Sequence, residues 1–355
     1  MKKVFKRFTV CIFAIVCIYT PIINGRCIAQ TRAQAKETEI KWVEGKAECV
    51  IEKESRRILY ANHADLRLPM ASTTKIITAT TVLQECENLQ ENIVIPPEAT
   101  GITGSSVYLK SGDVYSVEDL LYGLMLRSGN DCATALALRF GESESGFATK
   151  MNAVAQKAGA IASNFKNPHG LPCENHYTTA HDLGLITCYA LQNPVFEKIV
   201  STRYYAPRSW KNKNKMLTLY KGAIGVKTGY TKEAGRCLVS ATKQADMTLI
   251  CVVLNCATTY ERSMCLLDDA FKAYSREKLL SNEQVFCLTD GKTSIQAKAN
   301  EDFYYPILEE EKQWIETRVK GVESSLKTKK AGEIVGEIEI YLAKRLLFSG
   351  NLYKL

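Results

Sequence analysis

The sequence predicts an α+β fold: an antiparallel sheet with packed helices, followed by a small all-β domain. Three observations carry this. Strand-like runs lie at both ends of the first 275 or so residues, around a helical middle, so N- and C-terminal strands share one sheet. A helical apolar period (Ile76, Ile77, Ala79, Leu83) follows Pro69, which favours a bend before a helix and is excluded from its interior. Near residue 280 the character changes to short strand-like runs, and Glu333 to Leu342 alternates with period two through Ile334, Ile338, Ile340 and Leu342. The predicted organisation is a signal peptide at 1–29, a main α+β domain at 30–279 and a β-rich domain at 280–355.

The signal is read from Lys2, Lys3, Lys6 and Arg7, then the apolar run Phe8 to Tyr19, too short for a membrane span, then Cys27-Ile28-Ala29 as a cleavage site. Arg26 argues against a lipid-modified cysteine, and the mature chain is expected to begin near Gln30. Cleavage would remove five positive charges and no acids, taking the net charge from +8 to +3, too mild to suggest nucleic acid. It would also leave ten of the thirteen cysteines. Several sit in apolar runs, as Cys251 does in Leu249-Ile250-Cys251-Val252-Val253, and are expected to be buried free thiols rather than a disulfide scaffold. No Cys-x-x-Cys pair or histidine spacing suggests zinc, so no structural zinc is expected.

Along the chain, 30–46 is a polar lead-in. Ala47 to Ile51 and Arg57 to Tyr60 form a hairpin, and a helix runs from Ser72 to about Glu85. Residues 87–115 read as irregular with short strands. Ser116-Val117-Glu118-Asp119 is a capping signature before the run Leu120 to Leu126, and Asp131 is read as the cap of a helix over Cys132 to Phe140. Ser128-Gly129-Asn130 therefore falls in a tight connection beside the core, with Gly129 permitting a backbone shape other residues resist. Helices follow over Phe147 to Ala160 and Thr179 to Ala190, the second with Thr179 or Thr178 as candidate cap. Asn167 to Pro172 is a loop in which His169 is read first as satisfied locally, and second as a wall of a cleft. Gly222 to Gly229, Gly235 to Ala241 and Met247 to Asn255 are strands, and Thr259 to Tyr274 is a closing helix.

The chemistry centres on Ser72. With Ser72 in the first helical turn, Lys75 lies on the same side one turn on. A buried lysine amine can lose its proton and then take one from a serine hydroxyl. Ser-x-x-Lys alone is weak, since it recurs at Ser163/Lys166, Ser240/Lys243, Ser275/Lys278 and Ser324/Lys327. Ser128-x-Asn130 and Lys227-Thr228-Gly229-Tyr230 follow it in order. The latter offers an ammonium and a hydroxyl to a carboxylate, a glycine for close approach and a backbone amide. Ser-Gly-Asn also recurs at Ser349-Gly350-Asn351, read as a turn.

The ordered triple resembles that of penicillin-binding proteins and class A β-lactamases. With Gly104-Ser105-Ser106-Val107-Tyr108-Leu109-Lys110, Asn167-Pro168-His169-Gly170-Leu171-Pro172 and Gly225 to Thr231, it resembles the serine-type D-alanyl-D-alanine carboxypeptidases over about residues 40–275. The resemblance implies a penicillin-binding-protein/β-lactamase-like domain and a Ser72 acyl-enzyme, with no metal or organic cofactor required. Lys75 would accept the proton, Ser128 and Asn130 would relay protons and hold the substrate amide, and Lys227 and Thr228 would bind the terminal carboxylate. The amides of Ser72 and Tyr230, beside Gly229, would form an oxyanion hole. Arg262 sits where some members carry a carboxylate-binding arginine; the alternative is a helix-surface arginine. The implied partners are stem peptides ending in D-Ala-D-Ala and β-lactams, on the outer side of the cytoplasmic membrane. A terminal amphipathic helix, common in the family, has no room after the last predicted strand, so membrane attachment is not expected. Three alternatives remain. A β-lactamase would need a dedicated deacylating base, and no Glu-x-x-Leu-Asn loop stands at the expected place. A D,D-endopeptidase would share the machinery, and a non-catalytic wall-binding protein would not need it.

Overall fold

The computed structural model describes residues 43–291, 293–321 and 326–355; the predicted signal segment and Ser324 lie outside them. Strands β1 (Ala47–Glu52) and β2 (Ile58–Asn62) form the expected hairpin. A 3-10 turn at Ala71–Thr74 leads into α1 (Lys75–Glu85). A small ribbon, β3 (Asn92–Val94) with β4 (Val114–Ser116), precedes α2 (Val117–Tyr122), α3 (Asn130–Gly141) and α4 (Glu144–Ala158). Then come α5 (Ala180–Ala190), α6 (Pro194–Ser201), β5 (Tyr204–Tyr205), β6 (Trp210–Lys211) and α7 (Met216–Leu219). Strands β7 (Ala223–Thr231), β8 (Gly235–Gln244) and β9 (Met247–Leu254) lead to α8 (Thr259–Ala273).

The first sheet has the order β2-β1-β9-β8-β7, all antiparallel, so the early hairpin pairs with β9, the sheet's last strand in sequence, as expected. Its period-two alternation divides the core. Cys49, Ile51, Val239 and Val252 face α1 and α5, while Val50, Leu238, Cys251 and Val253 face α8. All ten cysteines among the described residues are free thiols, and six are buried.

Two caps form as read: Ser116 accepts from the Asp119 amide and Thr179 from the Asp182 amide, each at 3.0 Å. The Asp131 reading is corrected. Asp131 lies inside α3, whose N-cap is Gly129, and its carboxylate accepts from the Ser106 hydroxyl and the Val107 and Leu109 amides of a neighbouring loop. The conformational argument for Gly129 is corrected too. Ser128 takes the left-handed conformation (φ 66°), whereas Gly129 has φ −58° and is needed for space, since a Cβ would sit 2.7 Å from Asp131 Oδ1 and 2.9 Å from Cys132 Sγ.

The C-terminal part is all-β. Its strands are β10 (Tyr274–Leu280), β11 (Phe286–Thr289), β12 (Ser294–Lys298), β13 (Phe303–Leu308), β14 (Ile315–Gly321), β15 (Ile334–Leu342) and β16 (Arg345–Lys354). Five make a sheet of order β11-β12-β16-β15-β14, and β10 pairs with β13. Two readings change. Ser349-Gly350-Asn351 is no turn but lies within β16, paired to Glu339, Ile338 and Glu337. Ile334 is exposed because the β15–β16 register shifts between Ile334 and Gly336; Val335 enters the core in its place. Arg57 links the two parts, donating to Pro306 O at 2.6 Å and pairing with Glu311. Among the described residues no helix is long and apolar enough to cross a membrane.

Candidate active site

Ser72 sits in the 3-10 turn ahead of α1, directly after Ala71, whose φ of 49° is unusual for a residue with a Cβ. The turn is held from both sides. Gly229 of β7 packs so closely that a Cβ there would lie 3.0 Å from Met70 O and 3.1 Å from Ser72 N. Gly170 (φ 85°) presses the Asn167 to Pro172 loop onto the turn, and a Cβ there would lie 1.9 Å from Ala71 O. Thr78 Oγ1 ties the same loop down by donating to Pro168 O at 2.6 Å.

Lys75 opens α1 and is fully buried. Its ammonium donates to Ser72 Oγ at 3.1 Å, Asn130 Oδ1 at 2.7 Å and His169 O at 2.7 Å, three acceptors of which none is a carboxylate. Burial, followed by the nearby charge of Lys227, holds its pKa well below the ordinary lysine value. Ser128 and Asn130 flank the start of α3. Asn130 is fixed by its side chain donating to Thr103 O (2.6 Å) and its amide donating to Ser105 O (2.7 Å). Lys227, on β7 and only 2 % exposed, donates to Thr228 O at 2.9 Å, and burial, then Lys213, lowers its pKa to about 7.

These groups meet at one cleft of about 290 Å³ lined by Ser72, Ser128, Thr228, Gly229 and Tyr230, among others. The structure thus brings together Ser72, Lys75, Ser128, Asn130, Lys227, Thr228, Gly229 and Tyr230. It does not bring Arg262. That guanidinium lies buried against the α8-facing side of the sheet, bidentate to Glu48 at 2.8 and 2.7 Å, with Tyr60 Oη at 2.9 Å. Arg262 therefore neither reaches the cleft to bind a substrate carboxylate nor lies on the surface: an arginine buried at this depth requires a charge partner, and Glu48 supplies it.

Both readings of His169 hold in part. Its ring accepts from the Leu171 amide at 3.2 Å and is kept neutral, its pKa lowered to about 3 by burial and then by Lys75, so its 3.7 Å approach to Glu144 is no ion pair. Its backbone carbonyl is the part that reaches the site. Sequence reasoning missed the other lining residues. Ser105 lies in the Gly104 to Lys110 stretch, to which the sequence alone assigns no role. Arg236 could have been placed opposite Tyr230 by counting across the β7–β8 hairpin. Lys213, in the run Lys211-Asn212-Lys213-Asn214-Lys215, carried no signal separating it from an exposed charge run.

Residues 31–258 match the family described as D-alanyl-D-alanine carboxypeptidase, and residues 270–355 match the penicillin-binding protein 5 C-terminal domain. The chain is 32% identical to the D-alanyl-D-alanine carboxypeptidase DacF of Bacillus subtilis, over 72% of this chain and 69% of that one. Among solved structures it is similar to the Streptomyces K15 DD-transpeptidase (32% identity, TM-score 0.61, 65% of this chain and 98% of that one). It shares the fold of penicillin-binding protein 5 from Haemophilus influenzae (24% identity, TM-score 0.73, 92% of this chain and 98% of that one).

Proposed function

The chain belongs to the D-alanyl-D-alanine carboxypeptidase family, and from that premise we propose how its own residues release the terminal D-alanine of a peptidoglycan stem peptide. Lys75 in its neutral form takes the Ser72 proton as Ser72 Oγ attacks the carbonyl between the two D-alanines. The negative charge that develops is met by the Ser72 and Tyr230 amides, a contribution of about 3 kcal/mol per donor in comparable sites. Ser128 and Asn130 would relay the proton from Lys75 and hold the substrate amide, and the leaving amine departs protonated as D-alanine. Water then opens the acyl-enzyme. Lys227 and Thr228 grip the substrate's carboxylate from β7.

One observation carries the reading: the buried Lys75 amine lies 3.1 Å from Ser72 Oγ, and its other two acceptors are a neutral amide and a neutral carbonyl, so no carboxylate bonded to it holds it protonated. The same arrangement would be acylated by β-lactams. The family's peptidoglycan substrate supports action on the outer side of the cytoplasmic membrane, after removal of residues 1–29. The change from α+β to all-β structure supports a catalytic domain ending near residue 279.

Labelling with a fluorescent penicillin, mapping the adduct by mass, and measuring D-alanine release from a diacylated Lys-D-Ala-D-Ala peptide test the proposal together. A stable adduct at Ser72 with D-alanine release is expected. Steady nitrocefin turnover would favour a β-lactamase, faster cleavage of cross-linked dimers an endopeptidase, and absence of any adduct a non-catalytic protein.

A further inference from the structure

Tyr108 is an anomaly three residues beyond Ser105, which lines the cleft. It is a large aromatic residue, 84% exposed, in the left-handed conformation (φ 64°). Non-glycine residues in that region carry a strain cost and cluster at functional sites. The loop gives it no freedom to relax. The Asp131 carboxylate accepts from the Val107 amide at 3.0 Å, the Leu109 amide at 3.1 Å and the Ser106 hydroxyl. Ser106 Oγ in turn accepts from the Tyr108 amide at 2.8 Å. Leu109 is buried in the main core, so the segment is anchored inward on one side of Tyr108 while the ring faces solvent. The ring has no aromatic or cationic partner among the described residues.

The same clamp starts at the catalytic segment. Asp131 follows Asn130, and Asn130 itself is bonded to Thr103 and Ser105. Ser105 lines the cleft beside Ser72 and Ser128. Three residues further on, Tyr108 lies at most about 10 Å along the chain from Ser105. The stem peptide has a comparable reach, since its four residues between the scissile bond and the sugar span up to roughly 13 Å when extended. A sugar ring presents a C–H face that matches an aromatic face and leaves its hydroxyls in water.

We propose that Tyr108 is a docking platform for the N-acetylated sugar that carries the stem peptide, so that the enzyme reads glycan-linked substrate beyond the D-Ala-D-Ala terminus. This rests on the carboxypeptidase reading, and its test separates the two. D-alanine release is measured on two substrates, diacetyl-Lys-D-Ala-D-Ala and a disaccharide-pentapeptide, with wild type, Tyr108→Phe, Tyr108→Ala and Tyr108→Gly. Glycine accepts φ 64° without strain, so it removes the ring while keeping the loop. The Ala and Gly variants are expected to raise KM for the disaccharide substrate about 3–10-fold, the range for losing one aromatic contact. Their kcat and their kinetics on the tripeptide should match wild type, and Tyr108→Phe should retain tight binding. Equal KM changes on both substrates, or none on either, would overturn the platform. A wild-type enzyme that releases D-alanine from neither substrate would instead overturn the carboxypeptidase reading.

Discussion

Lys227 is expected to weaken the fold that it serves, and Lys227→Met tests this. The ammonium is 2 % exposed, it donates to the neutral Thr228 carbonyl, and its pKa falls from 10.5 to about 7. At roughly 1.4 kcal/mol per pH unit, that places the cost of keeping this lysine buried on the order of 5 kcal/mol. Because the folded-state value is the lower one, the unfolded chain binds more protons between pH 7 and 10.5. The cost is therefore fully present below about pH 7 and fades as the pH rises towards 10.5. Methionine fills a similar volume without charge, and even half the cost corresponds to roughly 5 °C in a domain of this size. Thermal unfolding should find Lys227→Met more stable than wild type at pH 6, with the gap closing by pH 10. Meanwhile KM for a D-Ala-D-Ala peptide should rise roughly 10–100-fold through loss of a charged hydrogen bond to the carboxylate. A variant no more stable than wild type at pH 6, or a gap that persists unchanged at pH 10, would refute the reasoning.

Other outcomes follow from the same contacts. Ser72→Ala should abolish both penicillin labelling and D-alanine release, and Lys75→Ala should come close to that, since nucleophile and base act as a unit. In wild type, kcat/KM should fall at acid pH as Lys75 gains its proton. It should fall again above about pH 7 as free-enzyme Lys227 loses its own; a rate rising steadily through pH 7 to 9 contradicts the role of Lys227. Glu48→Gln removes the carboxylate partner of buried Arg262 and should cost about 3–5 kcal/mol in urea unfolding while folded molecules still label with penicillin. Intact stability with lost labelling would return Arg262 to the site. Gly170→Ala should slow acylation at least tenfold, because a Cβ meets Ala71 O at 1.9 Å in the turn that aims Ser72; unchanged acylation would show that the turn can yield.

What the sequence made legible was what short-range chemistry decides. The first sheet, its helices and the caps at Ser116 and Thr179 follow from alternation, apolar period and side chains able to accept from free amides. The three motifs, each weak, gained force from their order. What stayed hidden depended on distant partners. Whether Arg262 faces a cleft or a carboxylate is decided by Glu48, more than two hundred residues earlier. Whether Asp131 caps its own helix or clamps another loop is decided by Ser106, Val107 and Leu109 reaching it. Likewise Ser349-Gly350-Asn351 has the composition of a turn, yet β15 supplies enough pairing to keep it extended.

The Ser-x-x-Lys motif shows why the rest could not be read locally. Lys166, Lys243, Lys278 and Lys327 are all exposed, whereas Lys75 is fully buried. An exposed lysine stays protonated at neutral pH and cannot act as a base. The difference lies in what covers the amine, and the motif contains none of that cover. It comes from Asn130 on α3, from the His169 carbonyl in a loop pinned by Thr78, and from the positive charge of Lys227 on β7. Each of these distant stretches therefore acts on the serine through the proton affinity of one amine. That is why three motifs in order carry meaning where Ser-x-x-Lys alone carries little: the second and third are the surroundings that turn the first from a surface pair into a nucleophile and its base.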